Sequence, residues 1–384
     1  MIKTLAIANF RSINNLVLPL SQLNVITGAN GCGKSNLYKA LRLLAETAQG
    51  NVISAIAKEG GLESVLWAGP EKITGAMQRG EVPIQGTRRQ KSIRLHLGFT
   101  DDELGYAISL GLPENGLTAF CNDPEIKNET IWAGDWYKPN SVLVERKGPL
   151  IQVKQGRKAQ AITQHTPSYE GLFGQIALRD DCPEVFRLRE IIRNWRFYDY
   201  FRTDQDAPAR KPQLGTRTPV LHHDGHDLAA ALQTIQEVGD AELLAQTISD
   251  AFPESSLIIR KDEFFTVMLQ QQGILRPLVA QELSDGTLRY LLLTAALLTP
   301  RPPSLMVLNE PENSLHTDLL PALARLIINA CKHSQLWIIS HSKRLINALE
   351  QQTDCNTIEL EKLLGQTTIK GQKTLETPAW YWPS

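Results

Sequence analysis

The sequence predicts an α/β fold built around a parallel sheet, and three observations lead to it. Leu23-Asn24-Val25-Ile26-Thr27 is a β-branched run that enters a Gly-rich turn, then a helical pattern with Leu37, Leu41, Leu44, Ala45 and Ala48 on one face. Two further apolar runs, Leu305-Met306-Val307-Leu308 and Leu336-Trp337-Ile338-Ile339, have the composition of strands buried on both faces. Residues 256–384 alternate strand and helix patterns, the rhythm of α/β packing.

Residues 1 to about 50 read in order as strand, turn, strand, loop and helix. The loop, Gly28-Ala29-Asn30-Gly31-Cys32-Gly33-Lys34-Ser35, fits G-x-x-x-x-G-K-[ST], with the flanking strand and helix that motif requires. Backbone N–H groups of such a loop and the positive end of the helix dipole converge on one point, where an anion is favoured. Lys34 brings a mobile positive charge for β- and γ-phosphates, and the Ser35 hydroxyl is placed to ligate Mg²⁺. ATP and Mg²⁺ are therefore the expected ligands. Cys32 lies inside the loop and reads as a small filler residue.

Residues 51–255 are heterogeneous, punctuated at Gly60-Gly61, Gly69-Pro70, Gly111 to Pro113 and Gly148-Pro149. The runs Ser92-Ile93-Arg94-Leu95-His96-Leu97 and Val142-Leu143-Val144 alternate as strands do. Helical patterns follow around 183–195 and 228–238. Residues 203–218, rich in Pro, Arg, Gln and Gly, read as a mobile loop. Between them, Arg187, Arg189, Arg193, Arg196 and Arg202 interleave with Trp195, Phe197, Tyr198, Tyr200 and Phe201. That pattern fits a DNA surface, with cations on phosphates and rings on bases. It equally fits a packed element whose Arg stems snorkel to solvent, and the formal net charge of −1 weighs toward packing.

The third part carries Leu283-Ser284-Asp285-Gly286-Thr287-Leu288-Arg289, followed by a helical pattern in Leu288, Leu291, Leu292, Ala295 and Leu298. Alone, Ser284 would be an N-cap; a Ser and a Gly at a helix start also make an anion site. Next comes a buried-strand pattern that ends Asn309-Glu310-Pro311-Glu312, polar groups at the carboxyl tip where α/β ligand sites lie. A second such strand ends in Ser340-His341-Ser342. The chain closes on Trp380-Tyr381-Trp382, which reads as packing back on the body of the protein.

Composition narrows the field. The hydrophobic share of 42% and charged share of 21% are those of an ordinary globular chain, long enough at 384 residues for one large domain or two smaller ones. Five scattered cysteines without a C-x-x-C pair argue against a disulfide framework or a zinc site, and fit a reducing, cytoplasmic setting. No signal peptide is expected at the start. No apolar run reaches the roughly 18 residues of a membrane span, so no membrane partner is expected.

These motifs, in the order Asn9-Phe10-Arg11-Ser12, phosphate loop, Leu-Ser-x-Gly, acidic strand and His341, resemble the ABC-type ATPase heads of the RecF, SMC and OLD group. Within that group the chain is most similar to bacterial stand-alone proteins named "AAA family ATPase". The resemblance is strong over 1–50 and about 275–350 and weak between. It implies a P-loop head with a β-rich N-terminal lobe, a mixed α/β insertion and no long coiled coil. Residues 1–50 and 256–384 would form the head, and 51–255 the insertion lobe plus a helical linker. It further implies that two copies pair head to tail around ATP. Carried over, Gly28, Asn30, Gly31, Gly33, Lys34 and Ser35 bind phosphate and Mg²⁺, and Arg11 reaches the phosphates as a weaker transfer. Ser284 and Gly286 contact the γ-phosphate of the partner's ATP, Glu310 polarises the attacking water, and His341 senses the γ-phosphate. The glutamine that follows the phosphate loop in the group has four candidates here: Gln78, Gln85, Gln90 and Gln152.

One departure stands out. The group's acidic strand ends Asp-Glu, and here it ends Asn309-Glu310. Asn309 offers the metal an oxygen without a charge, and Mg²⁺ favours carboxylates, so weaker metal binding and slow turnover are expected. Three functions compete: an ATP-driven switch on DNA in repair or anti-phage defence; a nucleotide-sensing regulator of a separate nuclease or toxin; and, least favoured, a transporter ATPase subunit. About 43 residues follow His341, too few for a fused nuclease, so a nuclease would come from another chain.

Overall fold

The structure is a computed structural model that describes every residue except 71–73, 83–92, 114–118, 156–157, 177–181, 352–354, 373–376 and 384. The N-terminal elements are β1 (Thr4–Phe10), β2 (Ile13–Pro19), β3 (Leu23–Gly28), α1 (Lys34–Thr47), α2 (Val52–Lys58), α3 (Leu62–Val65) and α4 (Gly75–Gln78). Then come β4 (Leu95–Thr100), β5 (Leu104–Gly111), β6 (Glu125–Ala133), β7 (Val142–Lys147), β8 (Leu150–Gln155), β9 (Lys158–Thr163), α5 (Leu172–Gln175) and α6 (Pro183–Arg193). They are followed by β10 (Arg196–Tyr198), α7 (Leu228–Val238), α8 (Ala241–Ala251), β11 (Ser255–Lys261), β12 (Phe265–Gln271), β13 (Leu278–Val279) and α9 (Asp285–Leu297). The last are β14 (Leu305–Asn309), α10 (Leu320–Ala330), β15 (Gln335–Ile339), α11 (Lys343–Glu350), β16 (Cys355–Leu363) and β17 (Gln366–Ile369). The longest helix among the described residues has 14 residues, so none forms a coiled-coil arm.

These elements divide into two compact units. One comprises 1–21, 27–195 and 358–384; the other comprises 22–26 and 196–357. The first is β-rich, as expected for the N-terminal lobe. Its eight-stranded sheet runs β2-β1-β4-β5-β6-β7-β8-β9, with every neighbouring pair antiparallel. Leu5, Ile7, Leu97, Phe99, Tyr106 and Ile131 are fully buried on it. Inside that core Glu129 accepts from Tyr106 Oη (2.8 Å) and the Leu172 amide (2.9 Å) and pairs with buried Arg146, so each charge meets donors or acceptors. The strand expected at 92–97 begins only at Leu95, and Ser92 lies outside the described residues. Trp380 and Trp382 do pack back: Trp380 stacks edge-on at Trp132 with centroids 5.7 Å apart, and Trp382 lies 5.1 Å from His96.

The second unit holds the predicted parallel sheet, in the order β10-β14-β15-β3. Leu305–Leu308 and Leu336–Ile339 are buried throughout, as their uninterrupted apolar character required. Helix α9 is buried on nearly all sides, with Leu288, Leu291, Leu292 and Ala295 inside, which fits a helix that is apolar all round. Residues 203–218 form a loop, as expected, anchored through buried Arg210 and a bridge between Gln213 and Phe265, with 214–217 exposed. No helix among the described residues is long and apolar enough to cross a membrane.

Candidate functional site

The phosphate loop follows β3 in the chain and opens into α1. Gly28 and Gly33 hold φ +139° and +113°, values L side chains rarely adopt. A Cβ on Gly28 would strike the Leu360 carbonyl, and one on Gly33 the Thr367 hydroxyl, so space forbids a side chain as firmly as backbone strain does. Gly31 is also at positive φ, with Asn30 and Ser35 exposed beside it.

Lys34 lies almost wholly inside the loop, its Nζ donating to the carbonyls of Gly28 (2.7 Å) and Ala29 (3.0 Å). Helix α1 has neither a side-chain cap nor an acidic residue in its first turn. Among the described residues, no acceptor meets the backbone N–H of Gly31, Gly33, Lys34 or Ser35. A polyphosphate fits these donors: uncapped amides, a helix dipole and an ammonium group all favour an anion.

A hydrogen-bond relay braces this loop. Asn36 Nδ2 donates to Ser12 Oγ (2.7 Å), Ser12 Oγ meets Thr367 Oγ1 (2.7 Å), and Thr367 Oγ1 donates to the Cys32 carbonyl (2.8 Å). The Thr367 amide also donates to the Ser12 carbonyl, at 2.7 Å. Asn9 and Phe10 end β1 and Arg11-Ser12 make the β1–β2 hairpin turn, with Asn9 and Arg11 in left-handed conformation. The Arg11 guanidinium is engaged by Glu59, which also takes Lys39 at 2.9 Å. Of the four glutamine candidates, Gln85 and Gln90 and the side chain of Gln78 lie outside the described residues, and Gln152 sits in β8 opposite Glu145.

In the second unit the strand tips of β14 and β15 come side by side, Asn309 opposite Ile339. Glu310 turns left-handed at φ +47°, a conformation that costs a non-glycine residue about 1 kcal/mol. Several bonds hold it there: its amide donates to Ile339 O (2.8 Å), and buried Arg289 donates to its carbonyl (3.1 Å). Its carboxylate accepts from Asn313 Nδ2 at 2.6 Å and faces His341 Nε2 at 3.1 Å. Glu310 and His341 are thus brought together by the tips of two strands, both part-exposed. Burial pushes the Arg289 guanidinium below its ordinary value, opposed by Tyr200, Glu312 and Glu310.

Ser284 is the N-cap of α9, its Oγ accepting from the Thr287 amide at 3.1 Å. Ser284, Gly286 and Thr287 line an open pocket of about 610 Å³ with Ser314, Leu315 and His316. A Cβ on Gly286 would lie 2.8 Å from the Ser314 carbonyl.

Sequence reasoning missed the bracing roles of three supporting residues, one of which, Glu312, it weighs only as a stand-in for the metal-binding charge that Asn309 lacks. Glu312 Oε1 accepts from Ser340 Oγ (2.6 Å), the His341 amide (2.9 Å) and the Ser342 amide (3.2 Å), which fixes the turn that carries His341. Arg210 donates to the carbonyls of Ala280 (2.7 Å) and Leu283 (2.8 Å) and to Asp285 Oδ1 (2.8 Å), which fixes the approach to Ser284. Thr367 closes the relay under the loop. A second acid two places after Glu310 was the only signal in the sequence for any of them.

In the stretch of alternating Arg and aromatic residues, the packing reading fits three of the five rings, and Tyr200 is exposed. Trp195, Tyr198 and Phe201 are buried, while Arg187, Arg193 and Arg202 pair with Glu103, Glu190 and Asp204.

Three solved structures share this architecture: an SMC head bound to the C-terminal winged-helix domain of ScpA, the SMC head domain of Thermotoga maritima, and a Pyrococcus furiosus SMC head with an extended coiled coil bound to the ScpA C-terminal domain. Their identities to this chain are 12%, 15% and 13%, with TM-scores of 0.53, 0.50 and 0.52. The alignments cover 98%, 97% and 96% of this chain and 99%, 99% and 95% of theirs. At such identities the likeness establishes the fold alone, that of an SMC head domain. No curated protein matches the chain. A family profile described as "AAA domain, putative AbiEii toxin, Type IV TA system" matches residues 23–347. With most of its length inside that match, the chain belongs to this AAA-domain family, and its fold is that of an SMC head domain.

Proposed function

We propose that the chain binds and slowly hydrolyses ATP, and that ATP drives two copies into a head-to-tail dimer that acts as a switch in DNA repair or anti-phage defence. The observation that carries the reading is the phosphate loop: Lys34 enclosed by its carbonyls, beside a helix start with free amides and no acidic neighbour. In this proposal Gly28, Asn30, Gly31, Gly33 and Lys34 hold the phosphates, and Arg11 plays at most a minor part because Glu59 engages it. Ser35 supplies a hydroxyl to Mg²⁺, and Asn309 a neutral amide where a carboxylate would bind more tightly. Mg²⁺, when bound, neutralises charge on the phosphate oxygens.

Glu310 takes a proton from the attacking water as the water oxygen bonds to the γ-phosphorus and the bond to the ADP oxygen breaks. His341, 3.1 Å from Glu310, orients that carboxylate and reports the γ-phosphate. Ser284 and Gly286 belong to the other copy's nucleotide. A second reading, a regulator of a separate toxin or nuclease chain, is favoured by the toxin–antitoxin wording of the family description.

Lys34→Ala tests the core of the proposal. Binding of a fluorescent ATP analogue should weaken tenfold or more, equivalent to about 1.4 kcal/mol or above for a charge-assisted contact. Unchanged binding in a folded variant would remove the nucleotide reading.

A further inference from the structure

Residues 221–228 form a turn that no part of the nucleotide chemistry uses. It reads Leu221-His222-His223-Asp224-Gly225-His226-Asp227-Leu228 and leads into α7. Two imidazoles converge there on one oxygen: His222 Nδ1 lies 2.8 Å and His226 Nδ1 2.6 Å from Asp224 Oδ1. The three side chains offer ligand atoms all within 4.8 Å of one another. No other such group of three occurs among the described residues.

The backbone beneath them is fixed. Leu221 is buried, and its carbonyl accepts from Tyr198 Oη at 2.9 Å. The His222 amide is held by Asp227, the Gly225 amide donates to His222 O at 3.0 Å, and the His226 amide donates to Asp224 Oδ1 at 3.1 Å. Gly225 turns at φ +71° where a Cβ would strike Leu292 of α9, so the turn is seated against the core of its own unit. The side chains are half-exposed, which leaves them open to an ion from solvent.

We propose that His222, Asp224 and His226 form a binding site for a divalent transition ion of the Zn²⁺ class. Two imidazole nitrogens and a carboxylate oxygen suit Zn²⁺, Ni²⁺, Co²⁺ or Cu²⁺ and not Mg²⁺, which takes oxygen ligands. Zn²⁺ needs N and O ligands at about 2.0–2.2 Å, so the three groups have only to open slightly around an ion that takes the place of the shared protons. Each imidazole would give its Nδ1 lone pair and keep its proton on Nε2. Because the backbone is already in place, binding orders three side chains and little else. Binding would also tighten the turn that abuts α9.

The test uses tag-free full-length protein, stripped with chelator and titrated with ZnCl₂ alone by calorimetry, with excess Mg²⁺ present. One equivalent should bind, and the same addition should raise the melting temperature. His222→Gln, His226→Gln and Asp224→Asn should each weaken the site at least tenfold and remove the thermal shift. Asp224→Asn keeps an acceptor for the His226 amide, so its metal-free melting temperature should match the parent and exclude a folding defect. Zn²⁺ binding left unchanged by all three substitutions would place the ion elsewhere and overturn the proposal. So would a parent that binds no equivalent tighter than millimolar.

Discussion

Glu310 Oε1 and His341 Nε2 stand 3.1 Å apart across the tips of neighbouring parallel strands. Neither position depends on a flexible loop: one residue follows β14 and the other lies two places after β15. If Glu310 is the base, Glu310→Gln keeps the shape and removes the proton acceptor. Turnover should fall at least a hundredfold while ATP affinity stays within a factor of about two. His341→Ala should lower the rate less, because the base remains. Hydrolysis by Glu310→Gln at the parent rate would refute the assignment.

Glu312 tests whether the His341 turn must be held. Its Oε1 gathers one hydroxyl and two amides from Ser340, His341 and Ser342. Glu312→Ala leaves these donors without an acceptor, at about 1–3 kcal/mol of stability. The expected signature is a fall in kcat of about tenfold, with ATP affinity nearly intact. Glu312→Gln keeps one acceptor oxygen and should recover most of the rate. Equal losses in both variants would mean that the charge matters and the holding does not.

The contrast between Glu310 and Glu312 shows what the sequence made legible. The phosphate loop, Ser284, Glu310 and His341 each end or begin a regular element, and their meaning lies in local spacing. Glu312 meets Ser340 from 28 residues away, Arg210 meets Asp285 from 75, and Thr367 meets the Cys32 carbonyl from 335. No periodicity records such contacts, because the fold alone brings the partners together. For the same reason the strands of the antiparallel sheet were visible one at a time, while their order and register were not. Residues 203–218 show the same limit, because their Pro, Gly and Arg content marks a loop but not what anchors it. Arg210 finds five backbone carbonyls within the second unit, three of them 70 or more residues on.

His96 gives the first unit a pH dependence. It lies on β4 beside Trp382, and burial, helped by Arg94, lowers its pKa from 6.5 to about 4. The folded chain therefore holds the imidazole neutral where the unfolded chain would bind a proton. Stability from this residue is complete above pH 6.5 and is lost as pH falls toward 4. The loss is at most about 3 kcal/mol, at 1.36 kcal/mol per pKa unit. Denaturant midpoints measured from pH 7 to 4 should fall more steeply in the parent than in His96→Gln. Parallel curves would show that His96 is not the titrating group.

Dimerisation is the claim with the widest consequence, and Ser284 decides it. Its Oγ caps α9 locally, accepting from the Thr287 amide at 3.1 Å, and it opens with Gly286 on a pocket of about 610 Å³. A helix start of this kind favours an anion, which in the proposal is the γ-phosphate held by a second copy. ATP binding and association should then be thermodynamically linked. In the Glu310→Gln background, which should trap the ATP state, ATP and Mg²⁺ should double the mass seen by light scattering. Adding Ser284→Arg puts a cation and excess bulk at that surface and should return the chain to monomers with ATP saturating. Lys34→Ala and Ser284→Arg chains, each inactive alone, should regain part of the activity when mixed, because a mixed dimer keeps one intact composite site. A chain that signals as a monomer, or through a constitutive interface elsewhere, would show no change of mass with ATP and no rescue on mixing. That result would remove the head-to-tail mechanism and leave the phosphate loop, tested separately by Lys34→Ala, untouched.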